Sequence, residues 1–440
     1  MPQPHSCDED VECIKTTIGK CPLCLQLCEA RVLQGDGKIF ISRMCPEHGE
    51  TTNLISSDAR FYWLAKGNQA CCSLSNNIVG SIGRNAKAAP DSTFETLSTC
   101  LALIEIVNSC NLSCPTCYAD SPRGKGGHVD AVPLSNIQDR IDQVIARKGK
   151  IEILQLSGGE PLLHPNLIEI VRWVRDHPKI DYLLINTNGV RLARDREFAA
   201  SLAAEVSRGN IQLYLQFDGV QEDGQAFLRG ADLREVRAEA IVRCEEIGLP
   251  ITLAMTVIPQ NLESLWSSLS YGLQFPHVRG ISFQPMFYSG RFPGGDVPRL
   301  NTADIILNLV EQSAGKLKFD DFTPLPCGDP NCAIIGYLLK IGGTIRSVSD
   351  FVNFRAVQGF LKDKVYYDLQ DLAQCGCESE PLGAILKRFE LKESNAFRIF
   401  IKPFMDAWSW DQDRIDRCCT HVIRPDGKLD SFCRYYTGGH

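Results

Sequence analysis

The stretch Asn108 to Asp120, NSCNLSCPTCYAD, sets Cys110, Cys114 and Cys117 at spacings of four and three residues. It follows directly on Leu101–Val107 (LALIEIV), a short run rich in branched residues that reads as a strand, so the cysteines fall in the loop at that strand's carboxyl end. Working outward, runs of the same kind recur at 151–156, 182–186, 211–217, 251–257 and 280–285. Between them apolar residues repeat at intervals of three and four, for instance over 135–146, 165–174 and 233–247, as on one face of a helix. Strand alternating with helix predicts an α/β fold, a parallel sheet of six βα units that right-handed crossovers allow to curl into a full or partial barrel. Sites in such sheets gather at the carboxyl edge, where the cysteine loop lies.

Three thiolates on one short loop suit one face of a 4Fe-4S cluster and leave one iron without a protein ligand. Competing readings are three cysteines packed as small hydrophobes, or half of a zinc site. The second strand runs into SGGEP, 157–161. There Gly158 and Gly159 permit close approach of main chain to a ligand, and the Glu160 carboxylate suits an ammonium group. NTNG (186–189) and QFDG (216–219) end the third and fourth strands, either as ligand contacts through Asn188 and Gln216 or as turns that hydrogen-bond their own backbone.

The CxxxCxxC spacing followed by Tyr118, with SGGEP on the next strand, resembles the radical S-adenosylmethionine (radical SAM) superfamily. The resemblance implies a 4Fe-4S cluster on Cys110, Cys114 and Cys117, with Tyr118 beside it and SAM on the open iron. Gly158, Gly159 and Glu160 would meet the methionine amino group, and Asn188 and Gln216 the ribose or carboxylate. The implied activity is reductive cleavage of SAM to a 5′-deoxyadenosyl radical that takes hydrogen from an unactivated carbon, with a ferredoxin or flavodoxin as reducing partner. The difficult chemistry is the cofactor's, and the protein's share is orientation and exclusion of solvent.

Cysteine is over-represented, at 20 of 440 residues. In a reducing compartment that favours metal ligation over disulfides. Near the start, Cys21, Cys24, Cys45 and His48 form two short ligand pairs around a Gly35-Asp36-Gly37 hairpin turn. This is the arrangement of a zinc ribbon or rubredoxin-like knuckle, holding zinc or a single iron. Cys28 is a substitute ligand, and a plain hairpin with incidental thiols is the competing reading. In the last third, Cys327, Cys332, Cys375, Cys377, Cys418, Cys419 and Cys433 point to one or two auxiliary iron-sulfur clusters, or to a second zinc site.

Taken together, CPxC with CPEHG, the CNLxCPxCY core, FQP (283–285) followed by Gly290 and Arg291, and a CxxHxxxPDGxxxxFCxY tail resemble the tetraether lipid synthase group. That group includes relatives once described as pterin methyltransferases. The resemblance implies carbon-carbon coupling of lipid chains, auxiliary clusters, a mononuclear iron, and a lipid substrate met through peripheral membrane contact. QCGC and the doubled Cys418 and Cys419 depart from the pattern and keep other readings open: small-molecule C-methylation, peptide modification, or a non-catalytic iron-sulfur carrier.

The organisation expected is a metal ribbon over 1–66, a polar linker over 67–98, the barrel over 99–290 and an auxiliary cluster region over 291–440. A net charge of −7 argues against a phosphate-backbone partner, so no nucleic acid is expected. No apolar run is long enough to span a bilayer, and the acidic first residues do not resemble a signal peptide, which together predict a cytoplasmic location.

Overall fold

The computed structural model describes residues 11–66, 99–122, 128–294, 298–325, 328–341, 344–350, 366–368 and 393–438. The expected 67–98 linker and the candidate ligands Cys327, Cys375 and Cys377 lie outside the described residues. At the amino end, strands β1 (Glu12–Lys20), β2 (Leu27–Gly35), β3 (Lys38–Cys45) and β4 (Gly49–Ser56) form an antiparallel meander. Asp36 and Gly37, at φ 50° and 70°, make the two-residue turn between β2 and β3, a left-handed geometry that matches the twist of the strands it joins. A short strand β5 (Leu64–Lys66) follows.

The six expected strands form as β6 (Leu101–Val107), β7 (Ile151–Gly158), β8 (Ile180–Thr187), β9 (Ile211–Gln216), β10 (Ile251–Val257) and β11 (Val278–Pro285). They pair in parallel in sequence order. The expected helices form at Leu134–Lys148, Leu167–Asp176 and Arg234–Glu246. Beyond them, β12 (Thr323–Pro324), β13 (Ile334–Ile341) and β14 (Thr344–Ser347) form an antiparallel flap, and β15 (Tyr366–Asp368) pairs with β5. The sequence reading set 291–440 apart from the barrel, but β16 (Ala396–Ile401) adds in parallel to β11 and β17 (Thr420–Ile423) in parallel to β6, with β18 (Leu429–Ser431) beside β17. Eight parallel strands therefore run β17-β6-β7-β8-β9-β10-β11-β16 among the described residues, and both flanking strands come from the region assigned to auxiliary clusters.

Alternate residues of these strands face opposite ways. Ile104, Ile106, Leu154, Leu156, Leu183, Ile185, Leu213, Leu253 and Ile281 join the helices in one large apolar core. The other face is mixed: beside Leu101, Leu103, Ile153 and Leu184 it carries Glu105, Gln155, Ser157, Asn186, Gln212, Tyr214, Gln216, Thr252, Thr256, Ser282 and Gln284. Many of these, among them Glu105, Gln155, Asn186, Tyr214, Gln216, Thr256 and Gln284, are only half-buried although helices cover the outer face. They therefore border a solvent-reached lumen. Within it Gln284 Nε2 donates to Tyr214 Oη at 2.7 Å, Tyr182 Oη to Gln212 Oε1 at 3.1 Å, and Tyr436 Oη to Glu105 Oε1 at 2.7 Å.

The ribbon rests on the carboxyl-terminal segment. Lys15 pairs with Asp411 at 2.7 Å, Lys20 Nζ donates to the Thr437 carbonyl at 2.7 Å, and the buried Arg43 donates to the Trp408 carbonyl. Among the described residues, no helix is long and apolar enough to cross a membrane.

Candidate active site and metal centres

The cysteine loop is pinned at both ends. Gly159 N–H donates to the Val107 carbonyl at 2.7 Å and Glu160 N–H to the Ser109 carbonyl at 3.0 Å, which ties the end of β7 to the start of the loop. A Cβ on Gly159 would lie 2.1 Å from the Ser109 oxygen. The paired glycines, expected to admit a ligand, thus first admit the cysteine loop itself. At the far end Cys117 and Arg291 exchange backbone hydrogen bonds at 2.7 and 2.9 Å, and Arg291 Nε donates to the Cys114 carbonyl at 2.8 Å. Gly290, at φ 61°, lets the chain pass where a Cβ would sit 2.5 Å from the Cys117 oxygen.

All three thiols are half-buried at the lumen mouth. Among the described residues they do not form a set packed tightly enough for one ion, as does the ribbon group below, and a multi-iron cluster asks for wider spacing. Burial foremost pushes the Cys110 thiol up to about 12, so its thiolate calls for a positive metal centre beside it. Leu112 N–H, 3.4 Å from Cys110 Sγ, and Asn188 Nδ2, 3.8 Å away, already face that sulfur.

Glu160 and Asn188 meet at the same edge. Glu160 is buried and accepts from Thr187 Oγ1 at 2.7 Å, Asn188 N–H at 2.7 Å and Leu162 N–H at 3.1 Å. Three donors leave capacity on a carboxylate with about four lone-pair sites, so it fits a ligand amino group. Burial pushes Glu160 up to about 7, against the opposing pull of those hydrogen bonds. Because the folded value lies above that of an unfolded glutamate, its contribution is complete below about pH 4.5 and is lost as pH rises through about 7. Glu160→Gln is expected to flatten the decline in folding stability across that window and to weaken SAM binding by roughly 10- to 150-fold, the loss of one charge-assisted hydrogen bond. Urea titrations at several pH values and equilibrium dialysis with SAM check both; unchanged SAM affinity would remove Glu160 from the ligand site.

Gln216 reaches the site through Asp218, donating to Asp218 Oδ1 at 2.7 Å. Tyr118 seats its ring among aromatics, 4.8 Å from Tyr436 and 5.4 Å from Phe432. Sequence reasoning missed the group around Asp218. This fully buried carboxylate accepts from Arg229 at 2.6 and 2.9 Å and lies 3.0 Å from the buried Arg237. Burial works against its charge, but the two guanidiniums outweigh it and hold the carboxyl well below its usual range. Arg229 and Cys114 also act on each other electrostatically.

In the ribbon the ligand atoms of Cys21, Cys24, Cys45 and His48 all lie within 4.8 Å of one another, a set suited to one four-coordinate ion. His48 Nδ1 is 3.7 Å from Cys21 Sγ and 3.5 Å from Cys45 Sγ. Cys28, the candidate substitute, packs behind them among the same thiols. In the carboxyl-terminal region Cys332, Cys418 and Cys433 lie close enough to act on one another electrostatically, with Arg414 Nη2 3.7 Å from Cys332 Sγ. The backbone carbonyl of Cys419, the remaining described candidate, receives the Cys100 N–H at 2.9 Å at the start of β6.

Residues 104–271, which hold the cysteine loop and the SGGEP turn, match the Radical SAM superfamily profile. These residues form a radical SAM domain. Residues 13–57 match the HMPTM N-terminal zinc ribbon domain, so the Cys21, Cys24, Cys45 and His48 site is a metal centre. The radical SAM core takes a 4Fe-4S cluster and SAM as cofactors. Over 96% of its length the chain is 25% identical to 7,8-dihydro-6-hydroxymethylpterin dimethyltransferase of Methanocaldococcus jannaschii, covering 93% of that protein. It is also 30% identical to the GTP 3′,8-cyclase of Listeria welshimeri over 191 residues, 42% of this chain and 55% of the cyclase. Among solved structures, Streptococcus suis SuiB bound to S-adenosylmethionine superposes on this protein with a TM-score of 0.37 at 14% identity, over 45% of this chain and 44% of SuiB.

Proposed function

We propose that the substrate is a small, polar, heteroatom-rich molecule seated in the barrel lumen below Cys110, Cys114 and Cys117, and that the reaction is C-methylation at an unactivated carbon. The observation that carries this reading is the lumen wall. Gln155, Asn186, Tyr214, Gln216, Thr256, Gln284 and Glu105, all half-buried, turn donors and acceptors inward, where a polar substrate can exchange hydrogen bonds with them. The pterin dimethyltransferase of M. jannaschii, whose name gives such a substrate, supports it.

When bound, the cluster and SAM would supply a 5′-deoxyadenosyl radical that takes one hydrogen atom from the substrate carbon, and a second SAM would supply the methyl group that replaces it, leaving 5′-deoxyadenosine, methionine and S-adenosylhomocysteine. In the proposed assignment Glu160 and Asn188 orient SAM at the loop, and the polar wall aligns the carbon to be attacked. The two electrons that each methyl group requires would come from a low-potential carrier such as a ferredoxin or flavodoxin. Cys332, Cys418 and Cys433, with the candidates outside the described residues, would hold an auxiliary iron-sulfur cluster.

Carbon-carbon coupling of lipid chains is a second reading, favoured by the apolar wall beside the loop. There Phe287, Phe404 and Phe432 stack around Tyr118, with ring centroids 4.3 to 6.3 Å apart, over Leu101 and Leu103. One experiment separates the two: reduced, reconstituted enzyme is incubated anaerobically with SAM and either a 7,8-dihydropterin or a total lipid extract. The first reading expects 5′-deoxyadenosine and a methylated pterin in the first arm. A lipid product short of two hydrogens, with no reaction of the pterin, would overturn it.

A further inference from the structure

The end of the helix Gln225–Arg229 abuts the middle of the cysteine loop. Thr116 Oγ1 donates to the Leu228 carbonyl at 3.0 Å, and a Cβ added to Gly230 would lie 3.5 Å from Pro115 Cδ and 3.6 Å from the Ser113 oxygen. This contact brings the Arg229 side chain, only 11% exposed, near enough to Cys114 for the two to act on each other electrostatically. Its guanidinium has almost no freedom there. Nε and Nη2 are taken by Asp218, at 2.6 and 2.9 Å, and Nη2 also donates to Thr256 Oγ1 at 3.0 Å. Asp218 is itself fixed by Thr256 N–H at 3.1 Å, by Gln216 Nε2 at 2.7 Å and by Arg237.

One carboxylate faces two guanidiniums, so this buried group carries a net positive charge, and both arginines act electrostatically on Cys114. Glu160, from the turn after β7, acts on Cys110 at the other end of the loop. A fixed cation in a low-dielectric setting stabilises whichever neighbouring state is more negative. For an iron-sulfur cluster that is the reduced state, and cluster potentials respond to nearby charge and hydrogen bonds to the sulfurs.

We propose that Arg229, locked by Asp218 against the Cys114 corner of the loop, is a positioning residue that raises the reduction potential of the cluster held by Cys110, Cys114 and Cys117. The inference rests on the radical SAM assignment and is independent of the substrate reading. The step it governs is a single one-electron reduction of the cluster by an external low-potential donor; no bond forms or breaks.

The test is an anaerobic redox titration of the full-length reconstituted protein without SAM, followed by electron paramagnetic resonance of the reduced cluster, with iron counted in each sample. Arg229→Gln is expected to hold wild-type iron yet show about a tenfold smaller ratio of reduced to oxidised cluster at a fixed potential, a shift of about 59 mV to the negative side for one electron. Arg229→Lys, which keeps the charge, is expected to recover most of that shift. Should Arg229→Gln load less iron, Arg237→Gln decides the matter, because it removes a charge from the same group without touching the loop and must move the potential in the same direction. A potential unchanged in an iron-replete variant overturns the proposal. So does a variant with unchanged potential and weakened SAM binding, which would make Arg229 a ligand contact instead.

Discussion

Cys114→Ala is expected to abolish 5′-deoxyadenosine formation in the reduced, reconstituted enzyme, down to the level of a no-enzyme control. Cys114 is the central thiol of the loop, and its neighbours are held by contacts that survive the change: the Cys117 to Arg291 backbone pair, the Arg291 bond to the Cys114 carbonyl, and the Glu160 bond to Ser109. The loop therefore stays in place while the cluster loses one of three protein ligands, and the loss reads on chemistry rather than folding. Cys13→Ala provides the matched control, because Cys13 is exposed on the ribbon's first strand and far from the barrel mouth in sequence. Chromatographic assay of SAM cleavage checks the pair. Retention of cleavage by the Cys114 variant would remove the loop from the catalytic role given to it.

Asp218→Asn is expected to cost about 3 to 5 kcal/mol of folding stability, the usual consequence of removing one partner from a buried ion pair. Two guanidiniums, on Arg229 and Arg237, would then face each other across a neutral amide in a site with no exposure at Asp218 or Arg237. The substituted amide would keep the volume and some hydrogen bonds, so the change isolates the charge. The effect should reach the site as well, because Gln216 and the Thr256 N–H both lean on the same carboxylate. Urea denaturation midpoints with an unchanged slope measure the cost. A loss smaller than about 1 kcal/mol would mean that water already compensates the arginines, and that the group is less rigid than its hydrogen bonds indicate.

The parts of the site that could be read from sequence are those in which the chemistry is contiguous. Cys110, Cys114 and Cys117 fall in one loop, and SGGEP occupies the next equivalent loop, so a strand-helix period sufficed to bring them to one sheet edge. The ribbon ligands were legible for the same reason, as two tight pairs around one hairpin. The Arg229, Asp218 and Arg237 group was not, because its members are spread over a strand end and two helices and each alone resembles a solvated surface charge. Nor were β16 and β17. AFRIFI and THVI are short, and the cysteines around them drew attention to metal ligation rather than to sheet pairing. The polar lumen was present in plain view, as the alternate Gln, Asn, Tyr and Thr of strands that read as apolar runs, but period-two polarity acquires meaning only once the outer face is known to be covered.

The flanking of β6 by β17 and of β11 by β16 has a consequence for how this chain is made. While the ribosome is still translating the region after β11, the half-built barrel presents two bare strand edges, one of them on the strand that leads into the cysteine loop. At ordinary translation speeds the interval before β17 emerges is on the order of ten seconds. Unpaired edges of this kind recruit other chains. Overproduction is therefore expected to yield more intact barrel when elongation is slowed less after β11 than before it, and iron delivered before release of the nascent chain would meet a loop whose supporting strand is still open on one side.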